Sequence, residues 1–240
     1  MAYQTDQPSA PPLPGLSGLR IAWRQLVAGD DTSPIDTSAV YYPLVGLALG
    51  AAMAVVDHAL IARTSPLIAS TAVVGLHVLA TRGRPVAGLA RTACRFVAAP
   101  LARSTAAVAI IEVALFAAAV WIVTQIVDGR LVALLFAPML GRSAMVVMAT
   151  GSRQARDDER LMRFSRELTF REFGIASTAA FALVFATTNF LGFLLVLVTG
   201  LATIALRVLL HWRLGGVDRD SLHATGEVVQ LAVFGLMAVL

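Results

Sequence analysis

Three side chains near the end of the chain have the residue types and the spacing of a small catalytic or metal site. Asp220, His223 and Glu227 are three and four residues apart, so a helix would place them on one face. Two carboxylates and an imidazole in this arrangement could hold a divalent cation. Just before them, Gly215 and Gly216 favour a turn whose backbone N–H groups can approach an anion. A capping turn before a last helix would use the same residues, so spacing alone leaves both interpretations open.

Arginine is the other residue type here that could bind a charged group. The segment 82–103 carries five arginines and no acid, so it would attract anionic lipid headgroups or a phosphate-bearing substrate. Arg82, Arg84 and Arg91 in this segment are candidate phosphate-binding residues. Arg142 is another, because it lies inside an apolar run, where an ionisable side chain is costly and is usually paired. We expect its partner to be a carboxylate or a phosphate that enters from the cytoplasm.

The composition places these groups in a membrane protein. The chain has 240 residues, of which 58% are hydrophobic and 14% are charged, and a soluble domain needs more polar surface than this. We predict an all-α, polytopic helical bundle with about six spans and a short C-terminal helix. The final run, 228–240, is too short to cross a bilayer alone. The predicted spans are 41–62, 65–80, 104–127, 131–150, 174–188 and 190–212.

Residues 1–38 are predicted to form an N-terminal cytoplasmic tail, and 39–240 a single membrane domain. Within the tail, 19–27 could form an amphipathic helix that lies on the membrane surface. The charged segment 153–172 contains six arginines and five acids, which is typical of a solvated helix.

The distribution of arginine predicts the orientation in the membrane. Fifteen arginines fall in segments that the spans place on one side, and only Arg63 and Arg130 fall on the other. The excess predicts that the first side is cytoplasmic and that the protein lies in the bacterial inner membrane. Basic membrane loops also explain the high pI without nucleic-acid binding. The segments that contain the fifteen arginines are 1–38, 82–103, 151–172 and 213–226.

The first predicted span carries features that indicate how it packs. Gly46 and Gly50 are four residues apart and predict close contact with another helix. Asp57 and His58 lie near the outer end of this span, where we expect interfacial side chains. Glu112, two turns into the third span, is expected near the cytoplasmic headgroups.

Four short motifs along the chain share their order and spacing with one known family. Together they resemble the cobalamin synthases, the membrane-bound adenosylcobinamide-GDP ribazoletransferases, over about 200 residues. The motifs are Tyr42-Pro43-Leu44-Val45-Gly46-Leu47 with Gly50; Thr81-Arg82-Gly83 followed by Gly88-Leu89-Ala90 and Thr92-Ala93; Gly141-Arg142-Ser143-Ala144-Met145; and Gly215-Gly216-Val217 with Asp220, Leu222, Ala224 and Glu227.

The resemblance implies a transfer reaction at the cytoplasmic face, in the last steps of vitamin B12 biosynthesis. A hydroxyl of α-ribazole, or of its 5′-phosphate, displaces GMP from adenosylcobinamide-GDP. Magnesium is the implied cofactor, because metal ions neutralise charge on the transferred phosphoryl group and on its leaving group. Asp220 and Glu227 are the implied catalytic and metal-binding residues. The implied partners are corrinoid and nucleotide small molecules, membrane lipid and other membrane enzymes of the pathway.

The chain departs from the family at its histidine and aspartate motif. The positions of the histidine and of three aspartates hold Pro85, Ala87, Arg91 and Cys94, and a glycine position holds Arg95. Arginine in a magnesium site would repel the ion. Two alternatives therefore stand beside the enzyme: a catalytically inactive paralogue that binds a corrinoid or nucleotide or acts as a scaffold, and a small transporter or lipid-binding protein. A magnesium site would be lost with a chelator, whereas binding by arginine would weaken with salt.

Overall fold

The computed structural model describes residues 15–28, 38–97, 104–153 and 170–240. Within these ranges the chain forms nine α-helices and no β-strand, which confirms the all-α class. The first fourteen residues of the predicted tail and most of the predicted solvated helix, 154–169, lie outside the described residues.

The helices follow one another with short connections. A π-helical turn, Arg24–Ala28, extends α1, so a helix forms where the amphipathic segment was predicted. A 3₁₀ turn, Ser38–Tyr41, leads into α2. The nine helices are α1 (Leu16–Trp23), α2 (Tyr42–Ile61), α3 (Pro66–Ala80), α4 (Arg84–Phe96), α5 (Thr105–Gln125), α6 (Arg130–Ala149), α7 (Phe170–Thr188), α8 (Phe190–Leu214) and α9 (Arg219–Val239).

In the described part of the chain, five helical segments are long and apolar enough to cross a membrane: Ser38–Ile61, α5, α6, α8 and α9. The pair α3 and α4 makes a sixth if these helices, bent by 85° at their junction, count as one broken span. This confirms a bundle of about six spans. The break between α7 and α8 falls at Asn189, as predicted, where φ is +49°. However, α9 is among the candidates and α7 is not.

The last helix is longer than predicted. It begins at Arg219 and not near Val228, because Asp218 and Ser221 form a capping box. The Ser221 N–H donates to the Asp218 carboxylate at 3.0 Å, and the Asp218 N–H donates to the Ser221 hydroxyl at 2.7 Å. The resulting 21 residues rise about 30 Å, which is enough to cross a bilayer.

The segment 82–103 is not a plain loop, because it contains α4. Arg82 and Gly83 have positive φ angles of 53° and 67°, and this left-handed backbone turns the chain sharply after α3. Pro85 lies in the first turn of α4, where its missing N–H costs little. The turn directs α4 across the end of the bundle and against α9.

The central helix of the bundle is α6, which is buried along most of its length. On one side it contacts α2, where a Cβ at Gly46 would lie 2.5 Å from the carbonyl oxygen of Pro138. A Cβ at Gly50 would lie closer still to the α6 backbone, 2.3 Å from the carbonyl oxygen of Leu135, so the predicted helix contact is confirmed. On the other side a Cβ at Gly141 would lie 2.5 Å from the carbonyl oxygen of Gly226 in α9.

An ion pair joins α2 and α6 at the end of the bundle opposite to α4. The Nη2 of Arg130 lies 2.8 Å from the Asp57 carboxylate and 2.9 Å from the Ser70 hydroxyl. Both charged side chains are about nine-tenths buried. His58 is exposed, and Glu112 on α5 is half-buried.

We expect Asp57→Asn to cost about 3–5 kcal/mol, because it leaves the charge of Arg130 buried without a carboxylate. Thermal unfolding in detergent would measure this loss. An Asp57→Leu and Arg130→Met double variant should recover most of the stability, since removing both charges removes the desolvation penalty too. A loss no larger than that of Arg63→Gln, a change at an exposed side chain, would contradict this expectation.

Candidate functional site

One face of α4 carries three arginines and a glycine. Arg84, Gly88, Arg91 and Arg95 follow one another at intervals of four, three and four residues, so they share one side of the helix. A Cβ at Gly88 would lie 2.7 Å from the Cβ of His223. Only a glycine allows α4 to lie this close to α9, and the contact brings the arginines to the N-terminus of α9.

The arginines of α4 bind both carboxylates at this end of α9. The Nη2 of Arg95 lies 2.9 Å from Asp220, and its Nη1 pairs with Asp218. Arg91 binds the same Asp220 carboxylate through Nε at 3.0 Å and Nη2 at 2.8 Å. Sequence reasoning missed Arg95 and Asp218 as members of the site. The spacing from Arg84 and Arg91 to Arg95, and the capping spacing of Asp218 and Ser221, were the signals that could have found them.

Asp218 is ionised more readily than an ordinary aspartate. Burial raises the pKa of its carboxyl, but the hydrogen bond from the Ser221 amide and the charge of Arg95 outweigh burial, so the pKa lies below its usual value. The ionised form is therefore the form that caps α9 and anchors α4.

This lowered pKa makes the stability of the protein sensitive to acid. A carboxyl whose folded pKa lies below its unfolded value of 3.8 stabilises the fold above that value and stops doing so as the pH falls through the folded pKa. We expect the native protein to melt at a higher temperature than Asp218→Asn at neutral pH, and the difference to shrink below about pH 4. Melting curves from neutral to acidic pH would test this, and a constant difference would contradict it.

A second group of buried polar side chains lies deeper in the bundle. Arg142 on α6 is only 2% exposed, and neither its Nε nor its Nη2 has a hydrogen-bond partner among the described residues. Its Nη1 lies 3.4 Å from the sulfur of Met145. Glu227 on α9 attracts it electrostatically, yet the Glu227 Oε2 also lacks a hydrogen bond among the described residues. His77, which sequence reasoning missed, places its Nε2 3.8 Å from that oxygen.

The predicted site residues Asp220, His223 and Glu227 share α9 but have different neighbours. Asp220 binds the α4 arginines, His223 lies under Gly88, and Glu227 lies near His77. Among the described residues, no three His, Cys, Asp or Glu side chains come close enough to hold a metal ion. The three residues therefore have the predicted helical spacing, but their side chains do not converge on one point where a metal ion could bind.

These residues do not fit a magnesium ion in their present arrangement. Asp218 and Asp220 already bind guanidinium groups. The cavity beside Glu227, His77 and Gln230 measures about 10 Å³, which is room for about one water. Magnesium usually keeps several waters, so this cavity is too small for the hydrated ion.

The remaining predicted residues lie around the same end of the bundle. Gly215 ends α8 with a φ of +75°, and Gly216 follows with a φ of +154°, so the predicted turn is present. The next amide, that of Val217, donates to the carbonyl of Arg153 at 2.8 Å. Arg82 is exposed at the bend between α3 and α4.

Two comparisons with known proteins agree with the motifs in the sequence. The family model described as cobalamin-5-phosphate synthase matches residues 19–238. A protein of Chlorobaculum tepidum named adenosylcobinamide-GDP ribazoletransferase is 28% identical over 245 residues, which cover 93% of this chain and 95% of the relative. No solved structure matches the chain. The match over nearly the whole length confirms the predicted resemblance, and the chain belongs to the cobalamin-5-phosphate synthase family.

Proposed function

We propose that this protein transfers the adenosylcobinamide phosphoryl group from adenosylcobinamide-GDP to α-ribazole or its 5′-phosphate and releases GMP. The observation that supports this best is the contact of α4 with α9, which gathers arginines and carboxylates at one end of a membrane bundle of this family. Such a site can bind a diphosphate that is attached to a large corrinoid.

The reaction forms one phosphorus–oxygen bond and breaks another. The ribazole hydroxyl oxygen bonds to the phosphorus that carries adenosylcobinamide, and the bond from that phosphorus to the bridging oxygen of the diphosphate breaks. GMP leaves with the bridging oxygen, and the hydroxyl proton is released. The protein contributes by orienting the two substrates and by neutralising phosphate charge.

Each predicted residue has a role in this proposal. Arg91 and Arg142 would bind the phosphates, with Arg82 and Arg84 guiding the substrate towards them. Asp220 would hold Arg91, which it binds at 2.8 Å, until a phosphate arrives, and Glu227 would stabilise the charge of Arg142. The glycine turn at Gly215 and Gly216 would leave room for the substrate beside α9.

The proposed location is the inner membrane, with the α4 end of the bundle in the cytoplasm. The excess of arginine at that end supports this orientation. Large apolar side chains such as Ile110 and Trp121 of α5 and Ile204 of α8 are exposed and would contact lipid. Corrinoid and nucleotide molecules, together with other membrane enzymes of the pathway, are the proposed partners.

Transfer by the purified protein in lipid nanodiscs tests this function. The assay would supply adenosylcobinamide-GDP and α-ribazole 5′-phosphate, with magnesium or with EDTA, and would measure cobalamin product and GMP by mass spectrometry. We expect product with the native protein and with the Arg63→Gln control, and loss of product with Arg91→Gln and Asp220→Ala. If an active relative forms product in the same assay and this protein does not, the alternative of a catalytically inactive paralogue that binds a corrinoid or nucleotide, or acts as a scaffold, would stand.

A further inference from the structure

We infer that this site neutralises its phosphate ligand with arginine side chains and needs no divalent cation to bind it. The inference rests on the proposed function for the chemical class of the ligand, a nucleoside diphosphate. It is carried by the charges and hydrogen-bond donors that α4, α6 and α9 bring together.

Arg142 is a buried hydrogen-bond donor whose unpaired nitrogens could bind an anion. It is 2% exposed and has two nitrogens without a hydrogen-bond partner in the part of the chain that the structure describes. Leaving buried N–H groups of a charged side chain unpaired is costly. Glu227 lies near enough to attract it but makes no hydrogen bond to Nε or Nη2. Guanidinium binds phosphate in a bidentate manner, so a phosphate that displaces the side chains packed around Arg142 would supply an acceptor for both nitrogens.

The electric field in this region favours an anion. Four guanidinium groups act electrostatically on His223, namely those of Arg142, Arg219, Arg84 and Arg91. Arg95 brings a fifth to the same end of α9, where it pairs with Asp218 and Asp220. Guanidinium groups gathered in this way raise the local concentration of an anion and lower that of Mg²⁺.

The ion pairs of α4 explain how a phosphate could enter while a cation could not. Arg91 has a side chain that is 46% exposed, whereas that of Arg95 is 20% exposed. The exposed guanidinium can turn from Asp220 to an incoming phosphate, while Arg95 keeps its contacts with both aspartates. A magnesium ion would instead have to displace Arg95 from Asp218 and Asp220 and would remain beside a positive cluster.

Binding of GDP with and without divalent cation tests this inference separately from turnover. Isothermal titration would use the full chain in nanodiscs of phosphatidylcholine, a neutral lipid that does not compete for arginine. We expect the Kd in EDTA to lie within about twofold of the Kd in magnesium chloride. The Kd should rise steadily between about 50 and about 500 mM salt, because the attraction is screened.

Variants locate the binding. Arg142→Gln should weaken GDP binding about tenfold or more, and Arg91→Gln should weaken it as well, since each removes a charged donor. Arg63→Gln, an exposed change at the other end of the bundle, should leave binding unchanged. Arg91→Gln alters an exposed side chain, so it reports on binding even if Arg142→Gln fails to fold, and melting curves would verify folding.

The outcomes separate this inference from the proposed function. Binding that disappears in EDTA, no binding in either condition, or equal binding by the native protein and Arg91→Gln would overturn the inference. GDP binding in EDTA without any transfer would sustain the inference and contradict the proposed reaction. Transfer by a protein that binds GDP only when magnesium is present would sustain the proposed reaction and contradict the inference.

Discussion

Alanine at Gly141 should destabilise the protein by forcing α6 and α9 apart. The new Cβ would lie 2.5 Å from the carbonyl oxygen of Gly226, so α6 and α9 would have to separate along their contact. Overpacking of this kind costs about 1–3 kcal/mol, and Gly141→Leu is expected to yield no folded protein. Thermal unfolding in detergent and the yield of monodisperse protein would measure both effects.

Gly235 provides the matched control in α9. A Cβ there meets nothing within 4 Å, and alanine in a helix is otherwise more stable than glycine by about 0.5–1 kcal/mol. Gly235→Ala should therefore melt at or above the temperature of the native protein. Equal melting temperatures for Gly141→Ala and Gly235→Ala would show that the backbones of α6 and α9 are not in close contact at Gly141.

Arg95→Glu should both destabilise the protein and make its stability depend on divalent cations. The change removes the guanidinium that joins Asp218 to Asp220 and places a third carboxylate beside them. Breaking a largely buried ion pair costs about 3–5 kcal/mol, which corresponds to a fall of about 10 °C in Tm. Three carboxylates together are typical ligands for Ca²⁺ or Mg²⁺, so added cation should recover part of that loss.

Melting curves with calcium, with magnesium and with EDTA would measure this response. The native protein should melt at one temperature in all three, since its aspartates already bind arginine. Arg63→Glu gives the same charge reversal at an exposed position and should show no cation response. A native protein that is stabilised by magnesium as strongly as Arg95→Glu would show that Arg95 does not occupy both aspartates.

The sequence predicted the membrane helices well where apolar residues alone decide the structure. The bounds of α2, α5, α6 and α8 lie within a few residues of the predicted spans, because each is a long apolar run between polar turns. The predictions for α4 and α9 were less complete because polar residues form part of both helices. The N-terminal turns of α9 contain Asp220, His223 and Glu227, which hydropathy alone assigns to a loop.

The site itself could be predicted only in part. The arginines and carboxylates were recognised from their types, and α9 places Asp220, His223 and Glu227 on a helix as expected. Their partners were not predictable from spacing, since Arg95 and Asp218 are 123 residues apart in sequence and meet only because Gly88 lets α4 lie on α9. Contacts of this kind depend on how helices pack, and one sequence does not encode them as a local pattern.

The order of α4, α6 and α9 along the chain has a consequence for biosynthesis. A chain is synthesised from its N-terminus, so α4 and α6 are made before the helix that carries Asp220 and Glu227 and the Asp218 that caps it. During that interval the guanidinium of Arg142 and the arginines of α4 have none of these carboxylates beside them. The electrostatic cluster is therefore completed only once α9 has been made, and a chain that stops before α9 would expose to lipid or to quality control the arginine charges that pair with Asp218 and Asp220.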